Sequence, residues 1–255
     1  MDNNMMDAKT LAYINLYAVL GSLKYLCELS PEAKKLAGCR PVSIGFDVHG
    51  GPAATLTVGE GCCTLTEGVG SCDIKLPFRS AEKFNGMIAG TVTPIPTKGL
   101  TKVGFLTGRF TKLTNLLTRY LKPTPEDLKN EHFFNVSTVL MFRLIVAAAA
   151  QIGNHDKVGR FCAKYIVDGN IRVAIAGGPA AYLAARGGRL TAVQTEPETM
   201  LSSMEFGSIP VARALFEGTE SSFELICAGQ VRMTGMLLQL DNLNRILDRV
   251  GLYLA

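Results

Sequence analysis

Apolar and polar residues alternate over short stretches in two separate regions of the chain. In the first region SIGFDV places Ile44, Phe46 and Val48 on one side, and ATLTV, CCTLT and CDIKL follow at short intervals. In the second region IRVAI, YLAA, RLTAV and SMEF repeat this order. A period of two is typical of strands with one buried face, so each region predicts a small sheet of short strands joined by tight turns.

Helical periodicity surrounds both strand regions. TLAYINLYAVLGSLKYL and STVLMFRLIVAAAAQIG predict apolar helices before the strands, and AEKFNGMIAG and PVARALFEG predict short helices after the fourth strand. TKVGFLTG and GQVRMTG predict a fifth strand in each region, followed by a closing helix with apolar residues at i, i+3 and i+7. Mostly antiparallel sheets covered on one face by helices define the α+β class.

The two regions also share sequence at an offset of 127 residues. GGPAATLTVGEGCCT, from Gly50, and GGPAAYLAARGGRLT, from Gly177, are identical at eight of fifteen positions. Self-similarity at a fixed offset indicates a duplicated fold. The polar segment KPTPEDLKNEH, with two prolines, lies where a linker is expected. We therefore predict a first domain at residues 1–122, a linker at 123–132 and a second domain at 133–255.

Composition places the chain among globular proteins. It is 47% hydrophobic, which allows an ample core. Its seven cysteines form no C-x-x-C pair, and this pattern is typical of reduced thiols in a cytosolic protein. The first residues, MDNNMMDAKT, lack the basic patch and apolar run of a signal peptide, so we expect a cytoplasmic protein.

One stretch, Phe133 to Ile152, approaches the length of a membrane span. It contains Asn135, Ser137 and, near its centre, Arg143. An arginine at the centre of a span costs about 3 kcal/mol on insertion scales. We therefore interpret the stretch as a buried amphipathic helix.

The order of elements resembles the sterol carrier protein type 2 family. The text that carries the resemblance is SMEFGSIPVARALFEGTESSFELICAGQVRMTGMLLQLDNLNRIL in the second half, and CDIKLPFRSAEKFNGMIAG with VGFLTGRFTKLTNLL in the first. The resemblance implies two tandem domains, each a five-stranded sheet covered on one face by helices, with an apolar tunnel between them. The first half departs from the pattern at TVTPIPTKG, because Pro94 and Pro96 oppose the short helix that SSFELICAG allows in the second half.

The resemblance implies a tunnel lined by apolar side chains of the helices and the last strand. In this sequence the candidate lining residues are Phe84, Met87, Ile88, Phe105, Leu113, Leu117, Val211, Leu215, Phe216, Phe223, Met233, Leu237 and Leu240. An apolar row equally fits a filled core, and the family resemblance favours the cavity. We expect the second half to keep the better cavity.

Candidate chemistry is sparse. The sequence has no nucleophile elbow, no P-loop and no dinucleotide fingerprint. Asp47 and His49 share a strand face, but both positions are alanine in the second half, which favours a surface pair over a catalytic one. Cys62 and Cys63 are adjacent on a strand and point to opposite faces, so we predict buried apolar thiols and no metal site. No cofactor is predicted.

Charge distinguishes the halves. Residues 83–122 contain seven basic and no acidic side chains. Transient contact with an anionic membrane is therefore predicted through Lys102, Arg109, Lys112 and Arg119, although a solvated helix face explains the same pattern. The net charge of +4 is too small to indicate nucleic acid binding.

The sequence as a whole predicts a non-enzymatic protein that binds or transfers a lipid, such as a fatty acyl chain or a sterol-like molecule, in a hydrophobic tunnel. One alternative is a structural or interaction module whose cavities are filled with side chains. A second is an enzyme on an acyl or thioester substrate that uses Asp47 and His49 or a cysteine.

Overall fold

The structure is a computed structural model that describes residues 6–254. The chain divides into two compact units, with the boundary between Val136 and Ser137. We call the described residues up to Val136 unit 1 and those from Ser137 onward unit 2. The predicted linker, residues 123–132, lies in unit 1, where it contains a 3-10 turn and the first residues of a long helix.

Unit 1 begins with helix and continues into a four-stranded sheet. Asp7 accepts hydrogen bonds from the N–H groups of Lys9 and Thr10 and so starts the first helix, while Ser30 starts the third. The helices are α1 (Ala8–Tyr13), a π-helical and a 3-10 continuation (Ile14–Val19, Leu20–Ser22), α2 (Leu23–Leu29) and α3 (Pro31–Ala37). The strands are β1 (Val42–Val48), β2 (Ala53–Gly59), β3 (Cys62–Glu67) and β4 (Ile74–Phe78).

The sheet of unit 1 has the strand order β3-β2-β1-β4, in which β1 and β4 run parallel. Helix α4 (Ala81–Ile88) follows the last strand. The chain then continues through a 3-10 turn (Leu100–Lys102), α5 (Val103–Phe105), a π-helical turn (Leu106–Phe110), α6 (Thr111–Leu121), a second 3-10 turn (Asp127–Lys129) and the start of α7 (Glu131–His155).

Unit 2 contains a five-stranded sheet of order β7-β6-β5-β8-β9. Its elements after α7 are α8 (Lys157–Tyr165), β5 (Gly169–Ile175), β6 (Ala180–Arg186), β7 (Arg189–Val193), β8 (Ser202–Phe206), α9 (Ile209–Glu217), α10 (Ser222–Cys227), β9 (Val231–Gly235) and α11 (Leu237–Leu254). Pairing of β5 with β8 is parallel, and the three other pairings are antiparallel. The predicted α+β class is confirmed, with two mixed sheets.

The repeated GGPAA text forms the same turn in both units. The N–H of Val48 donates to the carbonyl of Pro52 at 3.1 Å, and the N–H of Ile175 donates to the carbonyl of Pro179 at 3.0 Å. Gly50 and Gly177 have φ of 66° and 68°, values that glycine adopts without steric cost. The shared letters therefore specify one hairpin geometry, used twice.

The predicted fifth strand at TKVGFLTG is wrong, because this segment of unit 1 is helical. Pro94 and Pro96 have no N–H to donate, and the preceding loop forms only an isolated bridge between Lys75 and Lys98 beside β4. Gly99, at φ 82°, then turns the chain away from the sheet. The apolar spacing of Val103, Leu106 and Phe110 also fits a helical period, which the strand prediction overlooked. The second half forms its fifth strand, β9, as predicted.

Helix α7 is long and apolar enough to cross a membrane by length and composition. In the structure 61% of its most apolar 18-residue window is buried. Arg143, near the middle, donates a hydrogen bond to the carbonyl of Ala180. Burial of this extent is typical of a core helix, as the sequence interpretation expects.

A buried carboxylate joins two helices of unit 2, α8 and α11. Asp156, 3% exposed, starts α8 by accepting hydrogen bonds from the N–H groups of Val158 and Gly159. It also accepts hydrogen bonds from Arg249 at 2.9 Å and from the Tyr253 hydroxyl at 2.7 Å, both on α11. Burial alone would raise the pKa of Asp156, but the hydrogen bonds from Arg249, Gly159 and Tyr253 outweigh it and the pKa is lowered.

We predict that Asp156→Asn lowers the free energy of unfolding by roughly 3 kcal/mol at neutral pH, because it leaves Arg249 buried without its counter-charge. A lowered folded-state pKa means that the stabilisation is present above the unfolded-state pKa and is lost as the pH falls through the folded-state value. The wild type should therefore lose stability below about pH 4, and the variant should lose less over the same interval.

Urea unfolding of the full chain between pH 2 and pH 7 checks this expectation. Asp241→Asn is the matched control, because Asp241 pairs with Arg245 on an exposed face of α11 and its loss should cost less than about 1 kcal/mol. Equal effects of the two substitutions would contradict the role of Asp156.

Candidate functional site

The predicted tunnel residues of unit 1 divide into core and half-buried positions. Phe84, Leu113 and Leu117 are buried, whereas Met87, Ile88 and Phe105 are half-buried. The ring of Phe84 packs edge-on against Phe78, with centroids 5.2 Å apart, and against Phe46 at 6.1 Å. The structure thus places Phe84 in an aromatic cluster between α4 and the sheet.

The predicted tunnel residues of unit 2 are much less covered. Leu240 is buried, and Val211, Leu215, Phe216 and Met233 are half-buried. Phe223 on α10 is 73% exposed and Leu237, at the start of α11, is 76% exposed. Two of the seven predicted residues of unit 2, Phe223 and Leu237, therefore lie at the surface, whereas none of the six in unit 1 is exposed.

Five exposed apolar side chains follow one another in the chain between α10 and the first turn of α11. We call them the apolar segment of unit 2; its members are Phe223, Ile226, Met236, Leu237 and Leu238. Leu201, also exposed, adjoins the segment, because the N–H of Met236 donates to its carbonyl at 3.4 Å. Single exposed apolar residues are ordinary, whereas contiguous apolar patches are typical of interaction surfaces, so these residues are the candidates for such a surface in unit 2.

Local sequence explains how α10 presents its part of the segment. Leu225 is 2% exposed and anchors the helix, and the N–H of Gln230 donates to its carbonyl at 2.8 Å. Phe223 and Ile226 are three residues apart and so share a side of the helix that Leu225 does not occupy. Anchoring through one leucine leaves the phenylalanine and the isoleucine directed away from the core.

The start of α11 has a similar division between covered and uncovered residues. Gln239 and Leu240 are buried, while Met236, Leu237 and Leu238 are exposed. The Gln239 side-chain amide donates to the carbonyl of Val167 at 2.8 Å, which fixes the first turn of the helix. The exposed leucines therefore project from a helix end that is held in place.

Two open surface pockets lie in unit 1, and neither is lined by a predicted tunnel residue. One, of about 520 Å³, is polar and is lined by Pro41, Ser43, Thr55, Thr57, Thr66, Glu67, Gly68, Gly70, Ser71 and Asp73. The other, of about 450 Å³, is lined by Arg119, Tyr120, Glu126, Asp127, Asn130, His132 and Phe133. The assignment of the thirteen residues to a tunnel stays a prediction.

Internal contacts hold three of the four basic side chains for which we predicted membrane contact. Lys102 pairs with Asp73, and Arg119 pairs with Asp127. Arg109 donates to the carbonyl of Ala37 at 2.6 Å. The hydrogen bond from Arg119 lowers the pKa of Asp127 to about 2. These charges fasten loops of unit 1, and contact with an anionic membrane stays a prediction.

The residues considered for catalysis do not form a constellation. Asp47 pairs with Lys75 at 3.0 Å, and the His49 side chain is exposed beside the first turn. Cys63 is buried as predicted, but the prediction of a buried thiol is wrong for Cys62, which is exposed because neighbours on a strand point to opposite faces. Among residues 6–254, no group of three or more histidine, cysteine, aspartate or glutamate side chains is arranged to hold a metal ion.

Comparison with known proteins gives likenesses of structure only. No family model matches the chain, and no curated protein matches it. A solved structure described as a UbiJ-SCP2 ubiquinone synthesis protein is 13% identical, covers 41% of this chain and 94% of its own, and has a TM-score of 0.33. The apo form of sterol carrier protein 2 from Yarrowia lipolytica is 14% identical, covers 41% and 92%, and has a TM-score of 0.30.

We predict that Phe84→Ala lowers the free energy of unfolding by about 3–5 kcal/mol, because it removes a ring from a packed aromatic cluster. Ile95→Ala, at a side chain that is 78% exposed in the same unit, should change it by less than about 0.5 kcal/mol. Chemical denaturation of the two variants measures the difference. A loss below about 1 kcal/mol for Phe84→Ala would indicate that the ring lines space and does not fill the core.

Proposed function

We propose that this protein binds a lipid or another long apolar molecule without catalysing a reaction on it, and that unit 2 holds the ligand. The observation that carries the proposal is the apolar segment, where Phe223 and Leu237 are both more than 70% exposed. Two of the residues predicted to line a tunnel belong to this segment. The likeness of the sequence to sterol carrier protein type 2 domains supports the same class of ligand.

The energetics favour a ligand with a long hydrocarbon chain. Each methylene group transferred from water to an apolar surface contributes about 0.8 kcal/mol, and a buried leucine or phenylalanine side chain contributes about 1.5–3 kcal/mol. Covering Phe223, Leu237 and Leu238 would contribute about 5–9 kcal/mol, which is comparable to the cost of association, so the net affinity would depend on the methylene groups of the ligand. Half-buried Leu215, Phe216 and Met233 supply further apolar surface on α9 and β9.

We further infer that the units are tandem copies of one fold with different roles. Both use the same hairpin, and both sheets have the same order over their first four strands. Unit 1 lacks the fifth strand and has Pro94 and Pro96 where unit 2 has α10. Its buried Phe84, Leu113 and Leu117 suit a packed support, whereas unit 2 suits a ligand.

We predict that the delipidated full chain takes up cis-parinaric acid, a fluorescent long-chain fatty acid, with a saturable increase in fluorescence. Phe223→Ser and Leu237→Gln should each weaken binding about tenfold, because each removes one apolar contact worth about 1.4 kcal/mol or more. Both positions are exposed, so the folded state should tolerate the changes.

Phe161→Ser is the matched control, since Phe161 is 62% exposed on α8 of the same unit and lies outside the apolar segment. It should bind the probe like the wild type. Absence of saturable uptake, or equal affinity in all three variants, would contradict the proposal. A mass spectrum of the purified protein that contains no apolar molecule would also count against it.

The same surface could instead bind a second copy of this chain, which is one form of the interaction-module alternative. The interaction-module alternative also expects interiors filled with side chains. The packed aromatic cluster fits that expectation in unit 1. Light scattering separates the two functions. A lipid-binding protein keeps the same mass when Phe223→Ser is introduced, whereas a self-associating one loses mass.

A further inference from the structure

Two buried cysteines face each other between a helix and a strand of unit 1. Cys27 lies on α2 and Cys63 lies on β3, and their Sγ atoms are 3.6 Å apart. Cys27 is 3% exposed and Cys63 is fully buried. The two residues are 36 positions apart in the chain, so the fold alone brings the thiols together.

Unit 2 has a different pair of residues at the positions that correspond to Cys27 and Cys63. At the offset of 127 residues Cys27 corresponds to Asn154 and Cys63 corresponds to Leu190. The Asn154 side-chain amide donates to the Leu190 carbonyl at 2.7 Å, and its oxygen accepts from the Leu190 N–H at 2.9 Å. This pair of hydrogen bonds joins the end of α7 to β7, the third strand of unit 2. In unit 1 the corresponding contact between α2 and β3 consists of two thiols.

We propose that Cys27 and Cys63 form a reversible disulfide when the protein meets a peroxide, and that this bond locks α2 onto β3. A disulfide requires the sulfur atoms to approach from 3.6 Å to about 2 Å, a shift that side-chain rotation and a small movement of α2 can supply. The site is specific to unit 1, because Asn154 and Leu190 cannot be oxidised in this way.

The reaction balances with hydrogen peroxide as the oxidant. One thiolate attacks the peroxide, the O–O bond breaks, and a sulfenic acid forms as hydroxide leaves and takes up a proton to become water. The second thiol attacks the sulfenic sulfur, the S–O bond breaks, and a second water leaves. Two thiols are oxidised to one disulfide, and one peroxide is reduced to two waters.

The hydrogen bond between the thiols assigns the order of the two steps. The hydrogen bond between the two thiols lowers the pKa of Cys27, while the same bond and burial raise the pKa of Cys63. Cys27 is therefore the thiolate that meets the peroxide, and Cys63 resolves the sulfenic acid. A small oxidant has to enter by local opening, because both sulfur atoms are covered.

We predict a single new cross-link after the full chain is treated with equimolar hydrogen peroxide and then alkylated. A glutamyl endopeptidase cuts after Glu60 and Glu67 and releases GCCTLTE, while Cys27 lies in a separate fragment that ends at Glu28. The mass of the joined fragments should appear in the wild type and in Cys62→Ser, and should disappear on reduction.

Cys62→Ser is the matched control, because Cys62 is the exposed neighbour on the same strand. The bond should raise the unfolding temperature of oxidised Cys62→Ser by roughly 10 °C, since it closes a loop of about 36 residues. Oxidised Cys63→Ala should show no such rise. If Cys63→Ala does not fold, fragment mapping of the wild type and Cys62→Ser decides the question. Alkylation of both Cys27 and Cys63 after oxidation, or a link through Cys62, would overturn the proposal.

Discussion

The structure depends on covering one apolar face of each sheet with helices. Alternate residues of the strands, such as Ile44 and Phe46 in unit 1 and Ile171 and Val173 in unit 2, are buried on that face. Burying such side chains is the main favourable contribution to folding. The helices are therefore placed by the apolar face that they cover.

The two units differ in the elements that follow the fourth strand of each sheet. In unit 1 two prolines keep the chain from adding a fifth strand, and the following residues turn into helix. In unit 2 the fifth strand forms, and α10 is anchored through Leu225 while Phe223 stays outside. Both units have exposed apolar side chains in this region: Ile95 and Leu100 in the loop and 3-10 turn of unit 1, and Phe223, Leu237 and Leu238 on the helices of unit 2. The exposed side chains of α10 and α11 are the basis on which we propose unit 2 as the ligand-binding unit.

Much of the local structure could be predicted from the sequence, because local chemistry fixes it. Two-residue alternation identified the first four strands of both sheets, and the repeated GGPAA identified their turns. Apolar spacing did not separate strand from helix in this segment, because Val103 and Phe105 alternate as in a strand whereas Val103, Leu106 and Phe110 follow a helical period. Nor could the pattern tell that Leu237 is exposed and Leu240 is buried, since periodicity gives the side of a helix and not what covers it. The approach of Cys27 to Cys63 arises from the tertiary fold and has no local signal.

The most direct test of the central claim is hydrogen exchange of the full chain with and without a long-chain fatty acid. If unit 2 holds the ligand, exchange slows in residues 222–240, which contain α10, β9 and the start of α11, and stays unchanged in residues 81–88 of unit 1. No protection in residues 222–240 at a saturating concentration of the fatty acid, or protection confined to unit 1, would contradict this claim.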